Sequence, residues 1–127
     1  MQVPAFLLRR LYVKGSLRNS NGGFAFDLKN SLGSGYAEQV LPLTLDGESL
    51  SAEASVFIVD GVATPFREVS SDRPMTLAMN RTVTIGVDGH TLSAGKHKIG
   101  IGFVVTGMGK MQFDVTDAVG DRPDAGG

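Results

Sequence analysis

Ile99-Gly100-Ile101-Gly102-Phe103-Val104-Val105 and Met111-Gln112-Phe113-Asp114-Val115, joined through Thr106-Gly107-Met108-Gly109-Lys110, decide the fold class of this chain. Ile99, Ile101, Phe103 and Val105 stand two residues apart, as do Met111, Phe113 and Val115. A side-chain period of two puts each set on one face of an extended strand. The Gly107-Met108-Gly109 segment supplies glycines where a hairpin loop needs positive φ. The two runs are therefore expected to pair as a hairpin with a shared inward face.

Working outward, the same period recurs. Val83, Ile85 and Val87 alternate with Thr82, Thr84 and Gly86, which predicts a half-buried strand, and Phe24, Phe26 and Leu28 share one core face. Leu41, Leu43 and Leu45 alternate around Pro42, whose missing N–H predicts an edge position or a bulge there. Val56 to Val59 is a continuous apolar run, expected to be covered on both sides. Asp46-Gly47, Asp60-Gly61 and Asp88-Gly89 each follow such a run and are expected to be tight hairpin turns. No window keeps apolar residues at i, i+3, i+4 and i+7, so little or no helix is expected beyond a short turn near Pro65 to Ser71. The expected fold is an all-β antiparallel sandwich, jelly-roll or immunoglobulin-like, over residues 1–119. Residues 120–127, which lack any large apolar side chain, are expected to be a flexible tail.

A chain of 127 residues is the size of one domain. It contains no cysteine, which excludes a disulfide framework, thiolate zinc sites and a cysteine nucleophile. Phe6-Leu7-Leu8 is interrupted by Arg9-Arg10 before reaching signal-peptide length, and no apolar run is long enough to span a bilayer, so a cytoplasmic protein is expected. The formal net charge is −1 with both signs interspersed, which gives no field suited to nucleic acid or an anionic membrane. Arg9-Arg10 with Lys14 reads as a solvated strand face.

No catalytic or metal-binding residue can be assigned from the sequence. His90 and His97 are its only histidines, and neither has an obvious carboxylate partner, so His97 reads as a ring capping a strand end and His90 as a turn residue. The carboxylates are scattered among turns, and no serine lies in a nucleophile elbow. Gly100-Ile101-Gly102 continues into a strand where a dinucleotide-binding motif would open a helix. Contact surfaces are better represented. Gly100 and Gly102 lie opposite the inward row and leave a face stripped of side chains, to which a backbone or flat ring could approach. Gly33, Gly35 and Tyr36 form a glycine-rich loop, and Met108 with Met111 presents adaptable side chains near a hairpin tip. These seven residues are the candidate partner-facing or ligand-facing positions.

Ser16-Leu-Arg-Asn19, Gly23-Phe-Ala-Phe-Asp27, Leu43-Thr-Leu-Asp-Gly-Glu48 and Leu92 with Gly95-Lys-His97 follow one another in an order that resembles the small β subunit of bacterial C-glycoside deglycosidases. Gly33-Ser-Gly-Tyr36 replaces the aromatic-basic loop of that family and marks a divergent member. The resemblance implies a β-sandwich subunit paired with a larger TIM-barrel α subunit. That partner would hold the metal ion and the acid/base groups that cleave the carbon–carbon glycosidic bond of a 3-oxo-sugar conjugate. The present chain would then be a non-catalytic accessory subunit of a lyase complex, binding no cofactor itself. Two alternatives stand beside it: a homo-oligomer built by self-association of sandwich edges, and a small carbohydrate-binding module. The module is disfavoured by the absence of tryptophan and by Tyr12 and Tyr36 being the only tyrosines.

Overall fold

Asn21-Gly22, Asp46-Gly47 and Asp60-Gly61 all have positive φ at both positions. This is the type I′ geometry whose twist matches that of paired strands, and it closes three hairpins. The computed structural model describes residues 3–120. Its strands are β1 (Arg18–Ser20), β2 (Gly23–Lys29), β3 (Gly35–Val40), β4 (Thr44–Leu45), β5 (Glu48–Ser49), β6 (Ser55–Val59), β7 (Val62–Pro65), β8 (Met75–Leu77), β9 (Thr82–Val87), β10 (Lys96–Val105) and β11 (Gly109–Ala118). The turns join β1 to β2, β4 to β5 and β6 to β7.

The strands form two antiparallel sheets, the all-β sandwich expected. One is five-stranded in the order β1-β2-β9-β6-β7, and the other six-stranded in the order β5-β4-β10-β3-β8, with β11 on the free side of β10. The β10–β11 hairpin runs from Lys96 opposite Ala118 to Val105 opposite Gly109. The other side of β10 is shared by β4, at Ile99 opposite Leu45, and by β3, at Phe103 opposite Val40. Pro42 falls in the gap between β3 and β4, where no ladder donor is needed. Phe24, Phe26, Val83, Ile85, Val87 and Phe57 of the first sheet face Ile99, Ile101, Phe103, Val105, Met111 and Phe113 of the second, all buried.

Four expectations change. β6 buries Ser55 and Phe57 but leaves Val56 and Ile58 half-covered beside Gly86, so it is not enclosed on both faces. Asp88-Gly89 has positive φ only at Gly89, and the chain leaves β9 by a long link to β10 rather than a hairpin. Arg9-Arg10 lies in a 3-10 turn, Arg9–Leu11, that continues helix α1 (Ala5–Leu8), not on a strand face. Pro4 opens this helix with its φ near −60°, and Leu8 and Leu11 enter the core from it. Finally, Gly120 is anchored, its amide donating to Leu17 O at 2.8 Å, while the rest of the expected tail, 121–127, lies outside the described residues. The short turn expected near Pro65 is a 3-10 turn at Phe66–Glu68. No helix among the described residues is long and apolar enough to cross a membrane.

Candidate functional site

The polar motif residues form three separate clusters on the sandwich. Ser16 Oγ accepts from Asp27 N at 2.9 Å, and the Asp27 carboxylate accepts from Thr84 Oγ1 at 2.7 Å and pairs with Arg18 at 3.4 Å. Asn19 bridges to the link after β9: its Nδ2 donates to Leu92 O at 2.9 Å and its Oδ1 accepts from Leu92 N at 2.7 Å. Asp46, held in the left-handed region by the β4–β5 turn, accepts from Lys98 N at 2.8 Å and meets His97 Nδ1 at 2.7 Å. His97 Nε2 lies 2.8 Å from Ser93 O. A carbonyl oxygen only accepts, so both ring contacts are made together only when both nitrogens carry hydrogen. The Asp46 contact, followed by the Ser93 carbonyl, raises the His97 pKa above 6.5. The Lys98 amide, followed by His97, lowers that of Asp46 below 3.8.

No local pattern points to a carboxylate for His97, because Asp46 lies 51 residues away. With Nδ1 on Asp46 and Nε2 on Ser93, the ring presents no free nitrogen to a substrate. It works as a clip that joins the β4–β5 turn to the start of β10. A similar tie secures the N-terminal segment: Tyr12 OH donates to Asp117 Oδ2 at 2.6 Å, and Gly15 N donates to the same oxygen at 2.9 Å. Burial, reinforced by Asp117, raises the Tyr12 pKa far above the usual phenol value, so this hydroxyl stays a donor.

β10 carries the chain from His97 to Val105, roughly 25 Å, to the opposite end. There Asn30, which the sequence did not single out, folds the β2–β3 loop around its side chain. Its Oδ1 accepts from Leu32 N at 3.1 Å and Gly33 N at 3.2 Å, and its Nδ2 donates to Gly33 O at 2.7 Å and Leu77 O at 3.0 Å. Ser34 Oγ accepts from Met79 N at 3.2 Å. Leu32, Tyr36, Met79 and Met108 are exposed at this end. Beneath them an apolar cavity of about 360 Å³ runs in between the sheets, bounded by α1 on one side and by the β10–β11 tip on another.

Residues 7–120 match the family described as hydroxymethylglutaryl-CoA reductase, N-terminal domain. The chain belongs to that family. No curated protein matches it. The matched span runs from Leu7 in α1 to Gly120, so in this reductase N-terminal-domain family member it takes in both the His97 clip and the cavity mouth.

Within this domain the seven expected contact residues separate into two groups. Gly33, Gly35, Met108 and Met111 all line the cavity, and Tyr36 stands exposed beside them on β3. Gly100 and Gly102 lie on the outer side of β10, away from that mouth. The face expected to be bare there is partly filled by the chain's own side chains: Thr44 covers Gly100, while a Cβ on Gly102 would come within 2.8 Å of Leu41 and 2.9 Å of Gln112. His90 is exposed and sets its ring edge-on to Phe24 at 6.2 Å. Among the described residues no three His, Asp or Glu side chains converge as metal ligands would.

Proposed function

We propose that this chain is a non-catalytic accessory subunit that docks, through its apolar end, on a larger TIM-barrel enzyme acting on sugar conjugates, as in the C-glycoside deglycosidases its motifs resemble. The observation that carries this reading is the gathering of Leu32, Tyr36, Met79 and Met108 at one end of the sandwich. Clustered exposed apolar side chains mark contact surfaces. The motif residues Ser16, Arg18, Asn19, Asp27, Asp46 and His97 are engaged with one another and with backbone, which suits support rather than reaction. In such a complex the metal and the acid/base groups belong to the barrel. A chain without cysteine suits the reducing cytoplasm.

Co-expression with a candidate barrel subunit, followed by size-exclusion chromatography, tests the reading. One shared peak is expected. Two separate peaks, with full activity of the barrel alone, would overturn it.

The family match favours a second reading, an N-terminal domain working beside the catalytic portion of a hydroxymethylglutaryl-CoA reductase. The two readings share an accessory role and differ in the partner. Measuring C-glycoside cleavage by the barrel, and hydroxymethylglutaryl-CoA reduction by a reductase catalytic portion, each with and without this chain, separates them.

A further inference from the structure

We infer that the cavity between the two sheets is a binding site for an amphiphile with an unbranched aliphatic tail and a carboxylate head. The inference does not rest on the docking reading, although Leu32 and Met108 belong to both surfaces. The cavity volume of about 360 Å³ falls within the range of ligand pockets, roughly 300–1,000 Å³. An apolar cavity of roughly 150 Å³ already takes up benzene and stays free of water.

The lining defines the occupant. Every side chain along it is apolar except Asn30, Ser34 and Arg81, and water inside would find few partners. The walls follow β10 from Val105 in to Ile101, roughly 13 Å of strand. An apolar space that follows one strand for that length suits a linear chain.

The three polar residues lie together at the mouth. Asn30 N donates to Arg81 O at 3.3 Å, and Ser34 meets the adjacent Met79. The Asn30 amide is already engaged by Leu32, Gly33 and Leu77. Arg81 is engaged too, its Nη1 meeting Asp60 at 2.6 Å on a half-exposed side chain, but a guanidinium carries five N–H donors in a fork, which leaves donors for a second carboxylate. A tail inserted between the sheets would bring its carboxylate to this guanidinium.

Titration with decanoate and with decanol, followed by calorimetry and by methyl NMR, tests the assignment. Saturable one-to-one binding of both is expected. The shifted methyls should belong to Ile101, Val105 and Met111 of one sheet and to Val83 and Ile85 of the other. Ala78→Trp, at the mouth, should weaken both ligands at least about tenfold by filling space. Arg81→Ala should weaken decanoate about tenfold and leave decanol within about twofold. Val62→Ala, on an exposed β7 position outside the lining, should change neither. If Ala78→Trp fails to fold, the wild-type methyl shifts and the Arg81→Ala contrast still decide. Absence of saturation by either ligand, or shifts confined to outer residues such as Val62 and Tyr36, would overturn the site. Equal loss of decanoate and decanol in Arg81→Ala would overturn the carboxylate head.

Discussion

His97 Nδ1 lies 2.7 Å from the Asp46 carboxylate while the other ring nitrogen lies 2.8 Å from the Ser93 carbonyl, so the clip is complete only with a protonated ring. A histidine whose folded pKa is raised contributes its stability below its ordinary value of 6.5 and loses it as pH rises through the raised value. An aspartate whose pKa is lowered contributes above 3.8 and loses that contribution as pH falls through the lowered value. Both contributions are present between about 3.8 and 6.5. The thermal midpoint should therefore fall as pH is raised from about 6 to about 8.5. His97→Gln should flatten that slope. An unchanged slope in the variant would contradict the clip.

Asn19→Ala removes both bonds to Leu92. It should cost about 1–2 kcal/mol in urea unfolding and should speed hydrogen exchange at the Leu92 amide. Unchanged exchange there would show that the link is held by something other than Asn19.

At Gly23 an added Cβ would run into the carbonyl of Val87 on the neighbouring strand, which cannot move away without breaking the β2–β9 ladder. Gly23→Ala should cost about 2 kcal/mol or more. Gly47→Ala meets no neighbour and carries only the strain of its positive φ, about 1 kcal/mol. Equal losses for the two would contradict the packing at Gly23.

Tyr12→Phe keeps the ring against Phe26, 5.8 Å between centroids, but deletes the donor to Asp117. A loss of about 1 kcal/mol is expected. Asp117 keeps its bond from Gly15, so the N-terminal segment should stay docked, which limited proteolysis can follow. Release of the segment would mean that the phenol alone secures it.

Period-two rows made the sandwich legible: the alternation at Val83 to Val87 and at Ile99 to Val105 is buried as read. The features that escaped have local causes. Helix α1 is a single turn, too short to show a helical repeat. Asn21-Gly22 closes a hairpin whose first strand, Arg-Asn-Ser, is polar and carries no alternation. The Asp46–His97 clip and the Asn19–Leu92 bridge join residues distant in sequence, and only the strand register brings them together. The two glycine-bearing loops are placed by strand pairing. Ala37 pairs with Val105, which places the Gly33-to-Tyr36 loop and the Met108 tip at the same end. An apolar period tells which side faces inward but not how closely two sheets approach, so the cavity beneath those loops was not legible.

The docking reading is tested most directly by titrating this chain into a C-glycoside deglycosidase barrel subunit and following C-glycoside cleavage. Activity should rise and saturate with the wild-type chain, and a Leu32→Asp, Met108→Asp double variant should need at least about tenfold more protein to reach the same level. Activity that is full without the chain and flat throughout the titration would contradict the account.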